Sequence, residues 1–262
     1  MAIRLGTDDT NWACGTSNPD DGNANNDGKT SGTYYYHEID RTGPTFTNMY
    51  EHGGTESLKN VSNQYIKTYK LNYTVGSEAI DTGGITWDAI SGTDKTDSDA
   101  FNSKSANTEY NMTTDPTLAD GTTYNITFEI KDAAGNTTSN TATSTLYDVT
   151  APTVSGVYSE ESAGDMLAKD AVADFYVDFS ENVNFAGTPT SNVKMTLQYK
   201  QSATAAVACH TCTDGTDKAY FNYTVPTGGY SLYLDYAATN SLNVGDGIAD
   251  LAGNALTATL PT

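Results

Sequence analysis

The stretch LADGTTYNITFEIKDAAGN, Leu118 to Asn136, carries the reading that decides the fold. Asp120-Gly121 forms a turn signal, and Tyr124, Ile126, Phe128 and Ile130 then alternate with Asn125, Thr127 and Glu129. A period of two gives a strand with one inward and one outward face. A tyrosine placed between such a turn and such a strand is the layout of a sandwich's tyrosine corner. Its ring is expected to fold over the turn and its hydroxyl to hydrogen-bond backbone just upstream. Asp132–Asn136 (DAAGN) then reads as a hairpin loop in which Gly135 is free to take a positive φ. Thr137–Tyr147 follows as the last strand.

On either side of this segment lies a repeated phrase. DRTGPT at Asp40–Thr45 returns as DVTAPT at Asp148–Thr153, displaced by 108 residues, about the length of one β-sandwich domain. The chain of 262 residues therefore divides into residues 1–43, 44–151 and 152–262. The first piece is too short for a domain and reads as a truncated repeat or an irregular segment with one strand, in GTYYYHEI (Gly32–Ile39). In the last piece Phe175, Val177 and Phe179 alternate with Asp174, Tyr176 and Asp178, and further strand patterns run through Met195–Tyr199 and Tyr220–Val225. By analogy with the first repeat, Tyr230–Ala237 is expected as the penultimate strand, DLAGN (Asp250–Asn254) as the counterpart of DAAGN, and Ala255–Leu260 as the last strand. No segment carries a sustained helical stripe. The predicted fold is all-β, with tandem sandwiches joined by short Pro-containing linkers.

A formal net charge of −20 and a pI near 4.1 argue against nucleic acid or anionic membrane as a partner. With 33 acidic against 13 basic side chains, most carboxylates lack a basic partner and cations are the natural counterpart. No run of apolar residues is long enough to cross a membrane as a helix, and no apolar signal core follows Met1. The chain reads as an excised piece of a larger exported protein. Cys209 and Cys212, in CHTC, fit a local disulfide or plain thiols better than zinc, which needs four ligands where no second pair follows; Cys14 is left over. His37, His52 and His210 belong to no catalytic motif, and no nucleophile elbow, P-loop or HExxH is present, so the chain is not expected to be an enzyme.

The chain resembles the tandem immunoglobulin-like repeats of large bacterial surface proteins and adhesins. The likeness is carried by the DVTAPT linker, by VDFSENV (Val177–Val183), by LDYAATNSLNVGDGIADLAGNALTATLP (Leu234–Pro261) and by the Ala119–Asn136 stretch, and it covers residues 40–262. The resemblance implies an exported, extended, calcium-stiffened stalk, extracellular or at the cell surface, whose neighbours are further repeats of the same or another chain.

In an immunoglobulin-type sandwich the B–C and F–G loops lie at the end where the chain enters. That places Asp148 of the linker, Glu181 of a loop starting at Ser180-Glu181, and Asp250 of DLAGN at one joint. The preceding joint receives Asp40, Glu78 and Asp132 in the same way. Calcium takes six to eight oxygen ligands, several of them anionic, so each set is a candidate Ca2+ site. The competing expectation is that the Asp of DxAGN simply binds its own loop amides. Asn23–Gly28 also opens like a calcium loop, but its twelfth position is Tyr34 where a bidentate Glu belongs. Two further roles remain: glycan or protein binding through tyrosines such as Tyr34, Tyr35, Tyr36, Tyr230 and Tyr233, and filament assembly by strand addition through GTYYYHEI.

Overall fold

A computed structural model describes residues 12–13, 36–37, 40–51, 58, 61–68, 70–97, 100–112, 116–162, 166–199, 203–227 and 234–262. The fold is all-β. The calcium-loop-like stretch Asn23–Gly28, Cys14, His52, and the tyrosines 34, 35, 230 and 233 lie outside the described residues. Near the N-terminus β1 (Trp12–Ala13) pairs antiparallel with β2 (Tyr36–His37), which gives the strand in GTYYYHEI a partner in its own chain.

The first unit runs through β3 (Phe46–Glu51), β4 (Val61–Ser62), β5 (Tyr65–Ile66), β6 (Leu71–Val75), β7 (Thr82–Ala89), β8 (Lys95–Asp97), β9 (Glu109–Asn111), β10 (Thr122–Lys131) and β11 (Thr137–Tyr147). One sheet has the order β3-β6-β9; the other has β4-β11-β10-β7-β8, with β5 also on β11. β4 and β5 run parallel to β11, and the other pairings are antiparallel. The alternation in β6 and β10 points Leu71, Tyr73 and Val75 from one sheet at Tyr124, Ile126, Phe128 and Ile130 from the other, and all are buried. Phe46 meets Phe128 edge-on at 6.3 Å across this core, and Trp87 meets Tyr124 at 6.0 Å. Such contacts add about 0.5–1.5 kcal/mol beyond the area they bury.

Tyr124 forms the expected corner: its hydroxyl accepts a hydrogen bond from the Ala119 N–H at 3.0 Å. Gly135 has φ +90°, and β11 spans the residues expected of the last strand. Tyr124→Phe keeps the ring and removes only this bond. It should lower the stability of the first unit by about 1 kcal/mol in denaturant titrations.

The second unit contains β12 (Val154–Ser159), β13 (Val172–Phe185), the short helix α1 (Pro189–Asn192), β14 (Val193–Gln198), β15 (Thr204–Cys212), β16 (Thr216–Thr224), β17 (Asp235–Tyr236), β18 (Leu242–Val244) and β19 (Ile248–Asp250). Its strand order is β12-β13-β16-β15-β14-β17, with β18 on β14 and β19 on β13. β15 pairs β14 through Thr204–Ala208 and β16 from Cys209 onward, with a register shift between Cys209 and Thr211. A strand that changes partner at a bulge turns a sheet's corner. Cys209 and Cys212 form a disulfide within β15 at this turn, rather than in a loop, so they are not a thiolate pair for zinc. Phe175, Val177, Phe179, Met195, Leu197 and Phe221 fill the core, which is separate from that of the first unit.

Three expectations of local structure need correction. Ser180-Glu181 does not begin a loop: β13 continues through it, with a register shift between Asp178 and Val183, where the strand leaves β16 for β19. Ala255–Leu260 forms no regular strand; Thr257 makes an isolated parallel bridge to Thr153, and Ala255 an antiparallel one to Ala249. Of Tyr230–Ala237, only Asp235–Tyr236 is a strand among the described residues.

Candidate cation sites at the two joints

Two phrases with the same local chemistry hold the first carboxylate of each set. In DRTGPT the Thr42 N–H donates to Asp40 Oδ1 at 3.0 Å, and in DVTAPT the Thr150 N–H donates to Asp148 Oδ1 at 3.0 Å. Such Asx turns fix an aspartate close to its own backbone. The threonine ending each phrase docks beside the glutamate's segment: Gly76 N–H donates to Thr45 O at 2.7 Å, and Ser180 N–H donates to Thr153 O at 2.9 Å. One glutamate follows β6 in a loop; the other sits at the bulge of β13. Different local structures thus bring Glu78 and Glu181 to equivalent places.

The third carboxylate comes from the DxAGN turns, whose internal bonding is nearly superposable. Asp132 accepts the Asn136 N–H (2.9 Å) on one oxygen and its Nδ2 (2.8 Å) on the other; Asp250 accepts the Asn254 N–H and Nδ2, both at 2.8 Å. Gly135 and Gly253, at φ +90° and +87°, close both turns by donating to the carbonyl of the same Asp. Asp132 and Asp250 are 4% and 2% exposed. The loop-capping role is therefore real. Yet a carboxylate has about four lone-pair sites, so two N–H bonds leave acceptor capacity on each.

The structure brings the two expected sets together. Asp40, Glu78 and Asp132 place ligand oxygens within 4.8 Å of one another, and so do Asp148, Glu181 and Asp250. Three carboxylates this close repel. Desolvation first, then the hydrogen bond and charge of Asp40, then Asp132, push Glu78 from an ordinary 4.5 up to about 7. Asp40 is lowered, mainly by the Thr42 N–H and then by the bond shared with Glu78. At the second joint desolvation, followed by Asp148 and Asp250, raises Glu181; desolvation, with Asp250 and Asp120 adding to it, raises Asp148. The donor set consists of hard oxygens with excess negative charge, which fits Ca2+ and does not fit a soft metal.

The second set is shared between the units. Asp148 directly follows β11 and its N–H donates to Ile66 O at 2.9 Å, whereas Glu181 and Asp250 belong to β13 and β19. Asn254 Nδ2 reaches back to Asp148 O at 2.9 Å, and Lys67 Nζ donates to Gly253 O at 2.6 Å. Sequence reasoning missed Asp120. This first-unit carboxylate accepts the Val149 N–H at 2.8 Å and the Thr150 hydroxyl, and its charge reaches both Asp148 and Glu181. Its only signal was the Asp-Gly turn before the tyrosine corner. Beside this joint a cleft of about 560 Å³ separates Leu58, Tyr65 and Ile66 from Phe185, Ile248 and Leu251.

No family model and no curated protein matches the chain. Among the described residues no helix is long and apolar enough to cross a membrane.

A pH dependence follows from the crowding. A carboxyl whose folded pKa is raised contributes stability that is full below its unfolded pKa and is lost as pH rises through the folded value. For Glu78 that window runs from 4.5 to about 7. With chelator present, the melting temperature of the first unit should fall across this window, and Glu78→Gln should flatten the fall. With calcium the slope should weaken or reverse, because the cation binds the ionised form. Thermal melts at stepped pH, with and without calcium, check this.

Proposed function

We propose that the chain is a non-enzymatic spacer segment of an exported cell-surface or adhesin-type protein, built from two immunoglobulin-like sandwiches and stiffened by calcium at the joints. The observation that carries the reading is the duplicated carboxylate triad, of which the second copy takes one member from one unit and two from the next. A cation held there would join the units through oxygen ligands. The cleft beside the joint leaves the direct packing between units incomplete, so relative motion is the default without such a clamp.

The immunoglobulin-like assignment is supported by the first unit. Its sheets, β3-β6-β9 and β4-β11-β10-β7-β8, correspond in order to A-B-E and A′-G-F-C-C′, with a buried Trp87 on strand C and a tyrosine corner entering strand F. The second unit would be a more divergent member. Neighbouring repeats, of the same or another chain, would continue the string at both ends.

Titration calorimetry of the full chain with CaCl2 tests the sites. Two sites with Kd on the order of 10⁻⁴–10⁻³ M are expected, as in extracellular modules. Asp148→Asn should remove one site and leave the other. No heat at millimolar calcium, or two sites untouched by Asp148→Asn, would refute the assignment.

A further inference from the structure

On the outer face of the second unit, Tyr158 of β12, Tyr176 of β13 and Tyr220 of β16 stand directly opposite one another in register. Their ring centroids are 5.5 and 5.6 Å apart, with interplanar angles of 33° and 44°. Cross-strand aromatic pairs stabilise a sheet, and packing alone accounts for the register. Gly156, at the register shift of β12, also makes room for Tyr158. A Cβ there would lie 2.5 Å from Tyr158 Cε2 and 2.6 Å from its Cζ and hydroxyl, so the ring reaches back along its own strand over a residue that has no side chain. Tyr158 nevertheless remains 48% exposed. Tyr158 is thus the exposed end of the row, and Tyr176 and Tyr220 are partly exposed beside it.

The surroundings select the ligand's charge. Lys218 lies 5.4 Å from the Tyr176 ring centroid, but Asp178 holds it at 2.8 Å and Asp217 at 3.4 Å, so its charge is already matched. On the other side of the row Asp174 and Asn222 are cross-strand partners. Aromatic faces flanked by carboxylates and an amide suit the apolar C–H faces and hydroxyl rims of sugars. The chain's net charge of −20 disfavours a polyanion.

We propose that the Tyr158–Tyr176–Tyr220 row is a binding platform for a neutral polysaccharide of linked pyranoses, with sugar rings stacking on the tyrosines. Calorimetry or affinity electrophoresis of the full chain with soluble neutral hexasaccharides of glucose, xylose, mannose and N-acetylglucosamine tests it, with hexagalacturonate as the anionic control. At least one neutral glycan should bind. Tyr176→Ala should weaken binding about tenfold, the equivalent of roughly 1.4 kcal/mol. Tyr176→Leu, which preserves the packing bulk, should weaken it similarly, and Gly156→Ala should weaken it several-fold by lifting the Tyr158 ring. Asp148→Asn should leave it unchanged, which separates this site from the joint. The proposal is overturned if no neutral glycan binds, if galacturonate is preferred, or if binding survives both Tyr176→Leu and Gly156→Ala. It is equally overturned if sedimentation shows the wild-type chain dimerising through this face and Tyr176→Ala abolishing the dimer.

Discussion

In the absence of any cation, Asp250→Ala should destabilise the second unit by about 2 kcal/mol, because a buried carboxylate is lost, the Asn254 N–H is left without its acceptor and Asn254 Nδ2 keeps only Asp148 O. Glu181→Gln should do the opposite. Glu181 is raised by desolvation and by repulsion from Asp148, Asp250 and Asp120, so removing its charge relieves the cation-free joint. In calcium the ranking changes. At about 10 mM free ion, a site with Kd near 10⁻⁴–10⁻³ M adds about 1.4–2.7 kcal/mol to the wild type, and both variants should lose that increment. Denaturant titrations with chelator and with calcium measure all four quantities. If Glu181→Gln keeps the full calcium increment, the triad is only a set of turn caps.

Phe128→Ala should have the largest effect on the first unit. Phe128 is fully buried and its ring meets Phe46 and Phe101 at 6.3 and 6.4 Å, so truncation leaves a cavity where the two sheets join. A buried Phe→Ala change costs about 3–5 kcal/mol. In a domain of this size that corresponds to a fall in melting temperature of roughly 10–30 °C. The second core shares none of these residues, so its transition should stay in place. Phe221→Ala should reverse the pattern, because Phe221 is buried in the second core and stacks on Phe175 at 5.3 Å. Calorimetric scans with chelator should therefore show two separable transitions that respond to different variants. A single transition moved equally by both would show that the chain folds as one unit and would contradict the boundary near residue 151.

The parts of this molecule legible in sequence are those whose structure is decided locally. The alternation of Tyr124, Ile126, Phe128 and Ile130 gives a buried strand face, the Asp-Gly turn places the tyrosine corner, and Gly135 closes a turn that its neighbours already specify. Four of the six carboxylates could be found because matching phrases carry them, DRTGPT with DVTAPT and DAAGN with DLAGN. Glu78 and Glu181 were placed by an expected loop position, and the structure gathers all six into the two expected sets although Glu181 lies within a strand. What escaped was set by distant partners. Ser180-Glu181 carries loop-forming residues, but β19 pairs with the strand just beyond it and draws the chain straight on. Ala255–Leu260 alternates like a strand, yet finds only isolated bridges. Asp120 becomes part of the joint only because residues 149 and 150 return to it. The tyrosine row was invisible for the same reason: register across three strands aligns residues far apart in the chain.

The central claim is that a cation at the Asp148–Glu181–Asp250 set fixes one unit against the next. Distances between spin labels placed at Thr96 in β8 and Thr224 in β16, in a Cys14→Ser background, read it directly by double electron–electron resonance. The account predicts a broad distribution in chelator that narrows in millimolar calcium, and no narrowing in Asp148→Asn. A distribution of the same width with calcium and with chelator would contradict it.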